Sequence, residues 1–148
     1  NAEICHAGFA MTPPRAIVEA WGVNATSSTG QQVDPGGTAN TKGAWTQMTA
    51  SASRRCSAVL LMTSNKQNTV MAGANWLVDV GVGPVNSESV LLANLSLTSG
   101  TRGDTIDPVV LGPYNAEVPQ GTRVSVRAQS SIIDATDRLF DAMLYGVA

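Results

Sequence analysis

Charge is what this sequence has least of. Only 14% of its 148 residues are Asp, Glu, Lys or Arg, against about 25% in an average soluble domain. Ser, Thr, Asn, Gln, Gly and small apolar side chains must therefore cover much of the surface. Such a surface sheds little hydration on docking, and the centres of protein–protein contacts are depleted in charge, so the composition points to an oligomer. The charges that exist are not gathered. The formal net charge is −2 and the only basic pair is Arg54-Arg55, whereas displacing counterions from phosphates needs a clustered basic face. A nucleic-acid partner is not expected. No run reaches the roughly 18 apolar residues of a membrane span. The opening residues, Asn1-Ala2-Glu3-Ile4-Cys5-His6, lack the basic-then-apolar order of a signal peptide. A soluble protein with no membrane partner is expected.

Reactive side chains are equally scarce. His6 is the only histidine, and it adjoins Cys5, where neighbours on an extended chain point to opposite sides and cannot form a nucleophile–base pair. No Gly-x-Ser-x-Gly elbow is present, which removes that class of serine hydrolase. Gly81-Val82-Gly83 has the front of a dinucleotide fingerprint, but Pro84-Val85-Asn86 follows where the third glycine and a helix are required. The two cysteines, Cys5 and Cys56, match neither a zinc spacing nor a dense disulfide framework. Cys56 adjoins the apolar run Ala58-Val59-Leu60-Leu61-Met62, where cysteine behaves as a small hydrophobe, so free thiols are favoured over one bridge. Asp134, Asp137 and Asp141 could gather oxygens for a hard cation. On a strand, however, Asp137 and Asp141 stand about 13 Å apart, and no ligand-dense loop surrounds them. The expectation is a non-enzyme with no catalytic, cofactor-binding or metal-binding residue.

What is present is short β-patterned segments between turn formers. In 75–83, Trp76, Val78, Val80 and Val82 share one face and Asp79 the other, and Pro84 ends the segment because it has no N–H for a ladder. In 122–129, Val124, Val126 and Ala128 face in, while Arg123, Ser125, Arg127 and Gln129 face out, as in an antiparallel sheet with one wet face. Further strands are expected at 16–23, 45–50, 56–63, 89–97, 108–111 and 138–145. Asp34-Pro35-Gly36-Gly37, 99–104 and Pro119-Gln120-Gly121 supply the turns. About eight strands suit an all-β, antiparallel, jelly-roll-like sandwich, with one domain over 15–148 and an N-terminal arm over 1–14. A helix over Pro13–Ala20 competes with the first strand, since proline suits a first helical turn.

Three other features carry a sharper and a plainer reading. Arg102-Gly103-Asp104 spells an adhesion tripeptide, but Gly and Asp are also what a turn demands. Asn24-Ala25-Thr26 and Asn94-Leu95-Ser96 fit the glycosylation pattern, which matters only in a secreted eukaryotic protein. Trp21, Trp45 and Trp76 could stack on sugars. Trp76 leads an apolar strand face and reads as core, while Trp21 and Trp45 stay open between the two roles.

Ala39-Asn40-Thr41-Lys42-Gly43-Ala44-Trp45-Thr46-Gln47-Met48-Thr49-Ala50, Trp76–Gly83, Ser87-Glu88-Ser89-Val90, Val118–Ser131 and the closing Leu144-Tyr145-Gly146-Val147 together resemble a family of small structural proteins of tailed bacteriophages. These have a jelly-roll-type β domain and serve as capsid decoration proteins or as fibre and tail attachments. The resemblance spans about two thirds of the chain and leaves the first forty residues aside. It implies a virion protein on the capsid exterior, a homotrimer whose partner is the major capsid protein, stabilising the shell without catalysis. The alternative it implies is a receptor- or glycan-binding module at a fibre or tail tip.

Overall fold

The computed structural model describes residues 17–64, 73–99 and 109–148, and none of them is helical. Ten strands follow in order: β1 (Val18–Trp21), β2 (Val23–Asn24), β3 (Thr29–Val33), β4 (Thr46–Thr49), β5 (Cys56–Ser64), β6 (Asn75–Val82), β7 (Ser89–Thr98), β8 (Val109–Val118), β9 (Val124–Ser130) and β10 (Phe140–Val147). They make two antiparallel sheets. One runs β2-β3-β10-β5-β8, with β1 also on β10, and the other runs β4-β9-β6-β7. β3 pairs with Phe140–Ala142 and β1 with Leu144–Val147, so the two lie end to end along one side of β10, opposite β5.

The sheets close on a shared apolar core, as a β-sandwich must to bury one face of each. Val33, Val59, Leu61, Phe140 and Leu144 come from the first sheet, and Trp76, Val78, Val80, Val124 and Val126 from the second; each is at most 1% exposed. Trp76 and Phe140 meet edge-to-face across the gap with centroids 6.4 Å apart, a geometry aromatic quadrupoles favour. The indole Nε1–H of Trp76 donates to the Arg138 carbonyl at 3.0 Å, so its polar end is satisfied at the sandwich's margin. Trp21, also buried, lies over Gly146: a Cβ there would strike its ring and come within 2.7 Å of Cys56 Sγ. Cys56 is free and buried, and burial pushes its thiol pKa up. It packs as a small hydrophobe.

Some expected boundaries move. The segment 16–23 splits into β1 and β2 around Gly22, and no helix competes over Val18–Trp21. The strand expected at 108–111 runs on to Val118 through a cis Gly112-Pro113 bond; β8 is an edge strand, where a missing N–H is tolerated. Thr29–Val33, too polar to read as a strand, forms β3 through its ladder to β10. The strand expected from Arg138 begins at Phe140, so Asp137 is on a turn and does not share a strand face with Asp141. The arm 1–14, with Cys5 and His6, and Arg102-Gly103-Asp104 lie outside the described residues.

Both edges on the β7/β8 side are irregular. Ladder register shifts interrupt β7 opposite Val78–Gly81 and β8 opposite Cys56–Leu61. Asn94 sits at φ 57 and Gly112 at φ 107. Bulges and proline on an edge discourage pairing with another chain.

Candidate functional surfaces

The outward face of β9 and β6 was expected to be wet. Instead, residues 34–45, the connection from β3 to β4, run beside β9 and send the side chains of Lys42 and Trp45 over it. Asn40 N–H donates to Ser130 O at 2.8 Å and Gly43 N–H to Ala128 O at 2.9 Å, extending the sheet past β4. Lys42 then reaches over the strands, its Nζ donating to Leu77 O at 2.9 Å and to Asp79 Oδ1 at 2.7 Å. Trp45 lies on β6 where Gly81 leaves room, since a Cβ there would come within 2.6 Å of the ring. Arg127 places its guanidinium carbon 4.5 Å from that ring's centroid, within cation–π range, and donates Nε–H to Asp79 Oδ2 at 3.0 Å. The N–H of Asn94, presented by the bulge in β7, donates to Asp79 Oδ1 at 2.9 Å.

Asp79 is consequently only 3% exposed and both of its oxygens are occupied. Burial alone would raise its carboxyl pKa. The Lys42 ammonium, the Asn94 N–H and the Arg127 guanidinium outweigh burial and hold it below the ordinary carboxylate value. Beside it, Arg123 donates to Glu88 Oε1 at 2.8 Å and to Gln47 Oε1 at 2.9 Å. The Asp79 cluster is a closed network in which the carboxylate faces cations of the same chain, so it works as a clamp holding Lys42 of the loop to the sheet, while Arg123 ties β4 to the β6–β7 turn.

The outward face of the other sheet is built differently. Where Val59, Leu61, Ala142 and Leu144 point into the core, the residues between them point away, and ladder register sets them in rows. Val18, Val147 and Ala58 form one row, Ala20, Tyr145 and Leu60 the next, and Met143, Met62 and Val110 the third. Val18 is 49% and Val110 54% exposed. The Tyr145 hydroxyl lies 4.0 Å from the sulfurs of both Met62 and Met143, which ties the second and third rows together. The three rows contain no charged side chain. Charge stands at their margins, in the exposed Arg55–Glu117 pair and in the buried Asp141.

The remaining sequence candidates separate. Asp134 Oδ1 accepts from the Thr136 N–H and hydroxyl and the Asp137 N–H, which lower its pKa to about 2, while Asp141 is buried in β10. Among the described residues no group of three or more His, Cys, Asp or Glu is placed to hold a metal ion. Asn24 closes the β2–β3 turn by accepting from Thr26 and Ser27 N–H. Trp21 and Trp76 are core residues, and Trp45 is held by Gly81 and Arg127 rather than offered as a bare ring. A shallow depression at Gly83, Pro84, Gly121 and Thr122 has one charged lining residue, Arg123, already engaged by Glu88. The clamp and the apolar rows were missed by sequence reasoning. The rows did leave a signal, because Ala58-Val59-Leu60-Leu61-Met62 is apolar on both faces of a strand. No protein-family model, curated protein or solved structure matches the chain.

Proposed function

We propose that the chain is a jelly roll serving as a non-enzymatic structural protein of a bacteriophage virion, decorating and stabilising the capsid shell. The observation that carries this reading is the strand order. Counted from β3, the eight principal strands pair as β3 with β10, β4 with β9, β5 with β8 and β6 with β7, every pair antiparallel. That nesting is what a long antiparallel ribbon gives when it folds over into two sheets as a pair of Greek keys. Fold alone does not select a role. The role rests on the resemblance to phage structural proteins, on the low charge, and on an apolar outward face of the kind found at the centre of an interface. Three copies around an axis is the form the resemblance implies, on the capsid exterior.

A module bound where several shell subunits meet adds buried area across each junction, and repetition over the shell multiplies modest contacts. Co-sedimentation with expanded shells of a tailed phage tests the reading. Saturable binding at a fixed ratio to the major capsid protein is expected. Absence of binding to shells, with retention on a panel of surface glycans, would overturn it in favour of a fibre- or tail-tip module.

A further inference from the structure

We infer that a second copy of this chain covers the outward face formed by Val18, Ala20, Leu60, Met62, Val110, Met143, Tyr145 and Val147. The inference deepens the structural reading and rests on it only for its biological setting. The nine positions of the three rows, each about 4.8 Å across the strands by about 6.8 Å along them, make a face of about 300 Å² per copy. Two such faces together cover about 600 Å², below the roughly 1,200 Å² at which stable specific interfaces begin. The contact is therefore reversible.

Three observations favour the same chain over another partner. The rows carry no charge, so two copies of a chain with formal net charge −2 meet here without opposing like charges, and a charged partner finds nothing to pair with. The edges on the β7/β8 side are bulged and one carries Pro113, which steers association from strand addition to the face. An apolar face on a free protein is an aggregation liability. A sister chain is at hand as soon as the protein folds. Methionine suits such a contact because its flexible thioether fills irregular gaps.

Light scattering on the full chain from about 10 µM to about 1 mM, a range that reaches weak contacts of about 4 kcal/mol, decides the matter. Two identical faces that meet close into a pair, a contact separate from the threefold one the resemblance implies, so the expected result is a mass rising with concentration from 15.3 kDa towards twice that value. Leu60→Glu and Val110→Lys each weaken the association at least tenfold, about 1.4 kcal/mol, with an unchanged circular dichroism spectrum. Val110 is 54% exposed on an edge strand, so its variant reports on the contact even if Leu60→Glu folds poorly. A mass of one chain throughout overturns the inference, and so does association that both variants leave intact. Shell binding is measured in parallel. A monomer that still binds shells removes this contact and leaves the decoration role standing; an oligomer broken by the variants but indifferent to shells does the reverse.

Discussion

The two outward faces of the sandwich handle exposed sheet in opposite ways. Over β9 and β6 the chain supplies its own roof, pinning 34–45 down with Lys42, Trp45, Arg127 and the carboxylate of Asp79. Over β10 and β5 it sets out rows of Val, Leu, Met and Tyr. The roofed face spends its polar groups on intramolecular order. The apolar face keeps its contact potential for something else. One sheet face is thus closed by electrostatics from within, and the other is left apolar on the outside.

Removing the centre of the clamp is the harshest way to break that contrast. Asp79→Ala leaves Lys42 and Arg127 facing each other over a vacated site, and a loss of about 3 kcal/mol in urea unfolding is expected, as for other buried pairs stripped of one partner. A loss below about 0.5 kcal/mol, the level of an ordinary surface change, would mean that the roof is not held by ions. Gly81→Ala pushes a methyl into the Trp45 ring and should cost about 1–3 kcal/mol by overpacking. Trp45→Ala in the same background should recover part of that cost, and a strictly additive double variant would show the two do not touch.

Acid acts on the same clamp. The folded Asp79 carboxyl titrates below its unfolded value, so its contribution is fully present above about pH 4, the ordinary aspartate pKa, and is lost as pH falls through the lowered folded value. Unfolding free energy of the wild type should therefore drop more steeply below pH 4 than that of Asp79→Asn, and parallel curves would sink this assignment. The smallest effect is expected on the opposite side. Val110→Lys, at an exposed position on an edge strand, should change the stability of the isolated chain by no more than about 0.5 kcal/mol, and a cooperative loss of several kcal/mol would place Val110 in a core.

The inward pattern was legible because it is periodic: Trp76, Val78 and Val80, with Val124 and Val126, alternate in the sequence and are all fully buried. The outward pattern was legible only in part. Asp79 and Arg127 stood correctly on the far side, but their burial depends on a loop packed from more than thirty residues away. No local period records such a contact. β3 was hidden for a related reason, since Thr29-Gly30-Gln31-Gln32-Val33 becomes a strand through its ladder to β10 rather than through its own propensity. β8 was truncated because Gly112-Pro113 reads as a stop in any strand, and only the knowledge that β8 is an edge removes that objection.

β10, last of the strands in chain order, is also the hub of its sheet, with β5 along one side and β1 and β3 sharing the other. β1, β3 and β5 each pair with β10, which leaves the ribosome after all of them. β1 and β3 thus cannot be locked into this sheet until Phe140–Val147 arrives, and the β5–β8 ladder and the second sheet, complete by Ser130, lack the full opposite face of the core until then. High contact order of this kind makes folding slow and concentrates it into one late, cooperative event. A nascent chain stalled before residue 140 should therefore be digested by protease throughout its length, with no protected N-terminal fragment, while release of eight more residues should confer resistance on the whole sandwich at once.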